Sequence, residues 1–548
     1  MPEPRAPRRP HPALAPMARA ARAGRMDRRE FLALATSLGA TPAGAWALLG
    51  APRPAAAQET PRRGGVLRMA MTVYPVGDPR LFDWSEMGNV ARQCLEPLVR
   101  YRRDFTFEPW LLAGWDVSED VRTYTLRLRE GVRWTSGEPF EAADVAHNFL
   151  RWCERDAPGN SMAARMDALI DPATGRAREG AVEIVDPLTV RLSLSRPDIA
   201  LIASISEYPA LIVHRGFDAA GADFSAAPLS TGPFELVAVE PGARAAVRRR
   251  TSGAWWGGEA LLDGIEWLDF GPDPQAEVEA FRAGAIDANY WSTAAFAPVF
   301  DSLGLARHSV ETAATVVVRM NVNHPPYDDP RVRRALQLAV DNAVVLLLGY
   351  ANDGAVAENH HVSPIHPEYA TLPPPRHDPA EARRLLAEAG ALEVEHDLVS
   401  IDDDWRRNTA DAVAAQCRDA GIAMRRTLVP GPEFWPRWTQ FPFSTTNWNM
   451  RPLGVQALAL GYRSGAAWNE TGFSDPAFDA ALNRALATID VAARREIMAE
   501  LQRILQDSGV IIQPYWQALN CHSTARVRGY FKHAGHELHL ERVWLAEE

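Results

Sequence analysis

The hydrophobic periodicity changes along the chain, and this change limits the possible folds more than any single motif does. In the stretch RTYTLRLREGVRW, Tyr124, Leu126 and Leu128 alternate with polar residues, which is the period of a half-buried strand. DPLTVRLSLSRP repeats this alternation at 186–197. From residue 325 onward, apolar residues recur at helical spacing instead. The sequence therefore predicts a mixed α/β protein whose early portions are strand-rich and whose later part is helix-rich.

Start and stop signals mark helices in the later part. Asp329–Pro330 supplies an N-cap and a first-turn proline for a helix that we expect to run to Gly349. Asp378–Pro379 begins a second helix, which Gly390 ends. Between 495 and 509, an apolar stripe at i, i+4, i+7 and i+8 marks a third.

The N-terminal region resembles an export signal. In MDRREFLALATSLGA at 26–40, Arg28 and Arg29 precede an apolar run that is rich in Ala and interrupted by polar residues. A membrane-spanning helix needs about 20 strongly apolar residues, which this run does not supply. Ala55 and Ala57 form a small-x-small cleavage pattern before Gln58. We therefore expect residues 1–57 to be a twin-arginine-type signal peptide that is removed, as in proteins exported after folding.

Two alternatives for this region remain open, and a third is disfavoured. The segment could be an uncleaved N-terminal anchor, and Met26 could be the true initiator because twin arginines normally lie near the start of a chain. A lipoprotein is not expected, because the first cysteine is Cys94. We therefore expect a periplasmic protein.

Charge and lysine content exclude several functions. The chain carries a net charge of −11, and because residues 1–57 carry +6, the mature part carries −17. This acidity argues against nucleic acid as a partner. Lys532 is the only lysine, so no phosphate-binding GxxxxGK[ST] loop exists and Schiff-base chemistry has a single candidate amine.

Four widely spaced cysteines contain no CxxC pair: Cys94, Cys153, Cys417 and Cys521. We favour buried free thiols, although an oxidising compartment permits disulfides and three complete pairings are possible. About 490 mature residues exceed one ordinary core, so two or three domains are expected.

Catalytic and metal patterns are weak. The sequence has no G-x-S-x-G elbow and no HExxH helix. Histidines cluster twice, at His360, His361 and His366 and at His533, His536 and His539. We interpret them as exposed histidines on edge segments, with a metal site as the alternative, and expect HELHLERVWL at 536–545 to form a strand. No cofactor and no metal are therefore predicted.

Seven landmarks in a fixed order point to a known family. The first is WDVSEDVRTYTLRLREGVRWTSGEPFEAADVAHNF at 115–149, and the others lie at 230–242, 255–267, 281–290, 320–341, 377–390 and 473–485. Together they resemble the family-5 extracellular solute-binding proteins, the peptide, nickel and opine receptors of ABC importers. The resemblance covers nearly the whole mature chain.

The resemblance implies an α/β, periplasmic binding protein-like fold with two lobes that close on a ligand cleft. It has the three-domain (cluster C) arrangement with an extra inserted domain. Domain I would comprise 58–96, 229–310 and 518–548, domain II (the inserted lobe) 97–228, and domain III (the helical lobe) 311–517. The implied partners are a small solute and the membrane permease subunits of the transporter, and the receptor would be a monomer that performs no chemistry. A secreted hydrolase acting on a small polar substrate is the competing interpretation.

A departure from the family pattern bears on the ligand. In the peptide-binding branch, an aspartate shortly after a cleft tryptophan takes the ligand's ammonium group, whereas this chain has Arg451 three residues after Trp448. Where dipeptide binders place an arginine for the peptide carboxylate, this chain has Asp402 and Asp403, with Asp404 beside them. Both changes argue against a plain peptide and favour an opine-like or other anionic or zwitterionic solute, whose anionic group would lie near Arg451.

The other candidates follow from position or from aromatic character. A salt bridge within domain III is the alternative role for Arg451. Loop tryptophans often line ligand clefts, and five lie among Gly, Pro, Asn and Ser: Trp291, Trp435, Trp438, Trp448 and Trp468. The predicted ligand-binding residues are Arg451, Trp448, Asn449, Asn447, Tyr290, Trp291, Asn321, Asp402, Asp403 and Asn469, with Arg463 and Glu470 as further cleft candidates.

Overall fold

A large sheet runs through the part of the chain that the computed structural model describes, residues 10–50 and 60–547. It has twelve strands. Its main row is, in order, Phe234–Glu240, Arg244–Arg249, Gly264–Leu268, Val66–Ala70, Ala288–Asn289, Tyr515–Ser523, Ala306–Met320, Phe443–Trp448, His396–Ile401 and Met424–Val429. Gly354–Val356 and Ile511–Ile512 pair beside this row.

Two strands, Ala306–Met320 and Tyr515–Ser523, join the two halves of this sheet, and we call them the crossing strands. They pair antiparallel, and their register shifts between Glu311 and Thr315. One half of the sheet comes from residues 66–289 and the other from residues 396–448. The predicted domain boundaries at 310 and 517 fall within the crossing strands, and the domain division itself stays a prediction.

A separate four-stranded sheet contains both alternating segments found in the sequence. Its order is Leu112–Val117, Thr123–Leu128, Thr189–Ser193 and Val182–Asp186. Leu126 lies opposite Val190, and both side chains are fully buried. The period of two therefore predicted both the strands and their inward face. Small two-stranded pairs are Val99–Tyr101 with Phe107–Pro109, Ile170–Asp171 with Arg176–Ala177, and Val527–Arg528 with Trp544–Leu545.

Helices cover the strands and become more frequent after residue 325. The α-helices are Leu14–Arg22, Arg28–Ser37, Pro42–Leu48, Ser85–Ala91, Ala142–Trp152, Leu201–Ser204, Pro274–Arg282, Ala297–Ser302, Pro330–Leu338, Asn342–Tyr350, Pro379–Glu388, Asp404–Asp419, Gly431–Phe434, Gly454–Gly461, Pro476–Ala487 and Val491–Ser508. Short 3-10 turns are Pro79–Leu81, Asp167–Leu169 and Trp435–Gln440. The mixed α/β class is confirmed.

Two element predictions were wrong. The helix expected from Pro330 to Gly349 is two helices, because the Asp341 side chain accepts a hydrogen bond from the backbone N–H of Ala343 and caps a new start. The segment 536–545 is irregular except for Trp544–Leu545, since His536 takes a left-handed conformation with φ of 61° that interrupts an extended run.

The N-terminal residues 10–50 form three helices that pack against the body of the protein. Phe31 is fully buried, and the Trp115 indole N–H donates to the carbonyl of Ser37 at 2.9 Å. Glu30 forms a salt bridge with Arg495 at 2.6 Å, and burial raises the pKa of Glu30 to about 7. The segment therefore contacts both the four-stranded sheet and the late helix Val491–Ser508.

The export signal stays a prediction. Its cleavage pattern at Ala55–Ala57 lies outside the described residues. None of the described helices combines the length and the apolar character that a membrane crossing needs. All four cysteines are buried and free, so the preference for free thiols is confirmed.

Candidate ligand-binding site

A recess of about 100 Å³ lies where distant parts of the chain meet, and we call it the aromatic cavity. Two lining residues precede the helix Ser85–Ala91, and one, Tyr208, follows the short helix Leu201–Ser204. The others belong to 435–468. It is lined by Asp83, Trp84, Tyr208, Trp435, Trp438, Asn447, Trp448, Asn449, Arg451 and Trp468.

Tryptophan rings in edge-to-face contact form the walls of the aromatic cavity. The Trp84 and Trp435 ring centroids are 4.6 Å apart with planes at 80°, and this contact joins two segments about 350 residues apart in sequence. The Trp448 and Trp468 centroids are 5.9 Å apart at 70°. Such rings offer large, rigid faces to a ligand, and their N–H groups add directional contacts.

A buried ion pair between Glu470 and Arg319 fixes the position of Trp448 through a hydrogen bond. Trp448 ends the strand Phe443–Trp448 and pairs there with Thr315 of a crossing strand. Its indole N–H donates to Glu470 Oε1 at 2.8 Å, while Arg319 Nε lies 3.1 Å from Glu470 Oε2. Arg319 and Glu470 are 0% and 2% exposed, so the support of this wall is dry. Glu470 therefore lies beneath the cavity wall and orients Trp448.

Arg451 lines the aromatic cavity, but its charge is already paired. Its Nε lies 3.3 Å from Glu207 Oε2, and its Nη1 donates to the carbonyls of Asn449 and Met450 at 3.1 and 3.2 Å. Glu207 belongs to the predicted inserted lobe, so the alternative of a salt bridge within residues 311–517 was wrong. The carboxylate that pairs with Arg451 comes from a segment more than 200 residues earlier in the sequence.

Glu207 is shared among several donors, a group we call the Glu207 cluster: Glu207, Arg165, Arg451 and Gln456. Arg165 Nη2 lies 2.5 Å from Glu207 Oε2, and the Gln456 amide donates to Glu207 Oε1. Two guanidinium groups therefore share one carboxylate, which leaves the cluster with a net charge of +1. This favours a negatively charged group on the ligand side of the cavity.

Asp83 brings the opposite charge to the aromatic cavity. Its side chain keeps access to solvent, although surrounding protein atoms raise the pKa of its carboxyl group and Arg165 counteracts this rise. A carboxylate beside tryptophan faces can bind an ammonium group through charge and cation–π attraction. The cavity thus offers both signs of charge within one aromatic frame.

Asn447 and Asp403 are linked through an arginine. Arg406 Nε donates to Asn447 Oδ1 at 3.0 Å, and Arg406 also pairs with Asp403. Asp403 caps the helix Asp404–Asp419 by accepting the backbone N–H of Arg406. Asp402 pairs with Arg407 at 2.5 Å at the exposed start of the same helix. The two predicted aspartates therefore lie outside the lining of the aromatic cavity, because helix capping and surface ion pairing engage them.

Tyr290 and Trp291 do not line the aromatic cavity. The Tyr290 hydroxyl donates to the carbonyl of His536 at 3.0 Å and is buried. Trp291 packs against Trp405 with centroids 5.9 Å apart. Their side chains are used for packing between segments, so these two predicted ligand-binding residues are not part of the lining.

Asn321 and Asn469 support loops instead of lining the cavity. Asn321 Oδ1 accepts the backbone N–H of Asn323 at 3.0 Å. The Asn469 amide donates to the carbonyls of Arg463 and Phe473 at 3.1 and 2.8 Å. Of the ten predicted residues, the structure brings four together in the lining: Asn447, Trp448, Asn449 and Arg451.

Sequence reasoning missed three lining residues. Asp83, Trp84 and Tyr208 carried no motif, and they reach the cavity only through the fold. The other lining aromatics did carry a signal. Four of the five loop tryptophans that the sequence singled out line the aromatic cavity: Trp435, Trp438, Trp448 and Trp468.

A second recess of about 290 Å³ also borders Trp468, and we call it the basic cavity. It lies between residues 155–204 and residues 456–486. Its charged lining residues are Arg155, Arg165, Asp167, Arg196, Asp198 and Arg463. Arginines therefore outnumber carboxylates on its walls.

Five of the six clustered histidines are buried and His539 is half-buried, so the interpretation as exposed histidines was wrong. In one of them, potential ligand atoms of His533, Glu537 and His539 lie within 4.8 Å of one another. Arg92 pairs with Glu537, and His533 Nε2 lies 3.1 Å from the carbonyl of Tyr101. A cation already occupies the carboxylate of this group, which weakens its fit to a metal ion.

Comparison with known proteins agrees with this architecture. The family described as bacterial extracellular solute-binding proteins, family 5 Middle, matches residues 106–470. The glutathione-binding protein GsiB of Salmonella paratyphi A is 30% identical over 310 residues, covering 55% of this chain and 56% of the relative. The chain thus matches little more than half the length of that relative. Heme-binding protein A of Haemophilus influenzae is 23% identical over 465 residues, covering 80% of this chain and 84% of the relative.

Solved structures share the fold. The binding protein AgaA of A. tumefacien R10, in complex with agropinic acid, superposes with a TM-score of 0.78 at 20% identity. The superposition covers 88% of this chain and 99% of that one. The oligopeptide-binding protein AppA of Bacillus subtilis gives the same TM-score at 16% identity, with 89% and 100% covered.

These relatives are binding proteins, and the secreted hydrolase considered from the sequence has no support among them. The family match covers well over half of the chain and includes both the four-stranded sheet and the whole of the cavity-forming segment 435–468. The chain belongs to the bacterial extracellular solute-binding proteins, family 5.

Proposed function

We propose that this protein is a periplasmic receptor that captures a small solute between its lobes and delivers it to the permease subunits of an ABC importer. It performs no chemistry on the solute and acts as a monomer. The observation that carries this proposal is the aromatic cavity, whose walls come from segments on both sides of the crossing strands. Family membership supports the transport role.

The crossing strands supply a physical basis for capture. Only two strands of the described chain run between the sheet halves, and their register shift gives a place where they can bend. A ligand that touches both lobes stabilises the closed state through contacts that the open state lacks. A micromolar dissociation constant corresponds to about −8 kcal/mol, which suffices to bias such a hinge.

The solute that fits best is a small zwitterion with more acidic than basic groups. The net positive Glu207 cluster would attract its carboxylate, Asp83 would bind its ammonium group, and the tryptophans would cover its apolar part. Glutathione, which has two carboxylates and one ammonium group, belongs to this class, and GsiB is named for binding it. Opine-like solutes belong to the same class. A plain peptide held by its termini fits less well, since Arg451 stands where the peptide branch has an aspartate.

The direct test is calorimetric titration with a solute panel. The panel contains glutathione, agropinic acid, a dipeptide, nickel–histidine and heme, and mass spectrometry identifies any molecule that co-purifies unchanged. We expect one of the zwitterions to bind, and Trp435→Ala to weaken binding by about 10- to 100-fold, since losing a buried aromatic contact costs about 1–3 kcal/mol.

The matched control is Trp256→Ala. Trp256 is half-buried, as Trp435 is, and lines neither cavity. Equal losses in both variants would remove the aromatic cavity from the binding site. Conversion of a panel member into a product would contradict the receptor role.

Export is tested on the chain itself. N-terminal sequencing of the periplasmic protein is expected to begin at Gln58, and replacing Arg28 and Arg29 together by lysine is expected to retain the precursor inside the cell. A mature protein that keeps residues 26–50 would overturn the cleaved signal. In that case the packing of this segment against Trp115 and Arg495 would belong to the working receptor.

A further inference from the structure

The basic cavity has four arginines on its walls, and one of them, Arg463, forms no ion pair among the described residues. We infer that the basic cavity is a second binding site for an oxyanion group, which is a second acidic group of the same solute whose body occupies the aromatic cavity. The inference rests on the proposed function for the identity of the solute. The anion-binding property of the basic cavity stands on its own contacts.

The first argument is the distribution of ion pairs. Among the four arginines of the basic cavity, Arg155 and Arg196 both pair with Asp167, and Arg165 pairs with Glu207. Arg463 forms no ion pair with any carboxylate of the described residues. Its Nη1 donates to the neutral amide oxygen of Asn483 at 2.9 Å.

The second argument is the hydrogen-bonding state of Arg463. Its Nη2 is buried and has no hydrogen-bond partner in the described structure, and Arg196 Nε is in the same state. A buried donor without an acceptor destabilises the folded state, and more so when the group is charged. A folded protein keeps such groups where a ligand or water supplies the missing acceptor. Two open donors on neighbouring guanidinium groups match an oxyanion.

The third argument concerns Asp198, the remaining carboxylate on the wall. It accepts the backbone N–H of Ala200 at 2.9 Å, and burial raises its pKa. It does not come within ion-pair distance of Arg463 in the described structure. Burial and the nearby Arg196 lower the pKa of Arg463, and the more distant carboxylates of Asp167, Asp198 and Asp479 offset this only in part. The site therefore bears an electrostatic cost that an anion would relieve.

The fourth argument links the two cavities through Trp468, which borders both. The Arg165 guanidinium lies 4.9 Å from the Trp468 ring centroid, and that of Arg451 lies 5.7 Å from it. Arg165 lines the basic cavity, whereas Arg451 lines the aromatic cavity. A solute that stacks on Trp468 could therefore extend an acidic arm past this ring towards Arg463. This restricts the solute to extended zwitterions with at least two acidic groups.

The first experiment measures anion binding without a solute. Thermal unfolding is followed in sodium sulfate and in sodium chloride at equal ionic strength, so that general salt effects cancel between variants. Sulfate is chosen because its charge stays constant over the working pH range. We expect a sulfate-specific stabilisation of the wild type and an apparent affinity at least about tenfold weaker in Arg463→Gln, since a charge-assisted bond contributes about 1.5–3 kcal/mol.

The matched control is Arg484→Gln, which removes an exposed arginine that pairs with Glu500 on the surface of a late helix. It is expected to respond to sulfate as the wild type does. Equal responses in Arg463→Gln and the wild type would overturn the anion site. Circular dichroism in chloride establishes that both variants are folded before sulfate is added.

The second experiment identifies the source of the anion. Glutathione is compared with its glycine amide, which lacks one carboxylate, on the wild type and on Arg463→Gln. A preference of about tenfold for the diacid that disappears in the variant supports a shared solute. Loss of sulfate binding with an unchanged preference overturns the shared solute and leaves a site for a free inorganic anion. If no panel solute binds the wild type, the proposed function fails while the sulfate experiment still decides the anion site.

Discussion

The aromatic and basic cavities both border Trp468 but differ in whether their arginines are paired with carboxylates. In the aromatic cavity, Arg451 is paired with Glu207, and Trp448 rests on the Glu470–Arg319 pair. In the basic cavity, Arg463 keeps a buried donor without an acceptor. The first surface is preorganised for shape and stacking, because the charge of Arg451 is paired with Glu207 and the Trp448 indole is fixed by its hydrogen bond to Glu470. The second is organised for charge, and its donors become satisfied only when an anion enters.

The largest expected effect is the loss of stability when the ion pair that supports Trp448 in the aromatic cavity is removed. Glu470→Gln leaves Arg319 buried without its carboxylate, which should lower the free energy of unfolding by about 3–5 kcal/mol. Urea denaturation measures this loss. Glu500→Gln, in an exposed pair with Arg484, should cost less than about 1 kcal/mol. Equal costs in the two variants would mean that the dry ion pair does not hold this wall.

The next variant leaves arginines at the aromatic cavity without a carboxylate partner, as Arg463 is in the basic cavity. Glu207→Gln removes the carboxylate that Arg165 and Arg451 share, and we expect a loss of about 2–4 kcal/mol in unfolding free energy. Sulfate should then recover part of this loss, because the unpaired arginines of the Glu207 cluster become a new anion site. A variant that is destabilised yet insensitive to sulfate would show that charge pairing does not explain the difference between the cavities.

Acidification should separate the cavities through Asp83. Its pKa is raised by the surrounding protein, so its carboxylate takes up a proton at a higher pH than an ordinary aspartate does. Binding of an ammonium-bearing solute should therefore weaken as the pH falls through this raised pKa, while sulfate binding by arginines stays constant. Asp83→Asn should weaken solute binding at neutral pH and abolish its decline on acidification. Parallel declines for solute and sulfate in the wild type would contradict this division.

The smallest effect concerns an aspartate that the sequence suggested for the site. Asp402 pairs with Arg407 on the surface and lies outside both linings. Asp402→Asn should change solute affinity less than about twofold and stability by about 0–1 kcal/mol. A tenfold loss of affinity in calorimetry would return Asp402 to the site and extend the aromatic cavity beyond its present lining.

Local pattern predicted much of the fold. The alternation at 123–128 and 189–193 predicted two paired strands, and Asp378 predicted the start of Pro379–Glu388. Trp448 and Arg451 were found through the family resemblance, and both line the aromatic cavity because they lie three residues apart at the end of one strand. The break at Asp341 was missed because an aspartate inside a helical pattern is ambiguous until its side chain is seen capping Ala343.

The parts of the candidate site that the sequence did not predict depend on contacts between segments far apart in the chain. Trp84 meets Trp435 only after the sheet has assembled, and nothing near Trp84 announces this. Tyr290 was predicted to bind the ligand, yet its hydroxyl donates to the carbonyl of His536, 246 positions away in sequence. Arg463 Nη2 has no acceptor because no acceptor of the described structure lies within hydrogen-bond distance. This depends on the three-dimensional arrangement and leaves no pattern in the sequence.

The chain's single lysine has a practical consequence. Lys532 is buried, its Nζ donates to the carbonyl of Tyr290 at 2.7 Å and lies 4.1 Å from the Tyr290 ring centroid, and burial lowers its pKa to about 8. An amine-reactive ester should therefore label the native protein at its α-amino group alone, which gives a defined tether for single-molecule work. The rate of a slow second labelling at Lys532 would then report how often this part of the core opens, with no engineered probe.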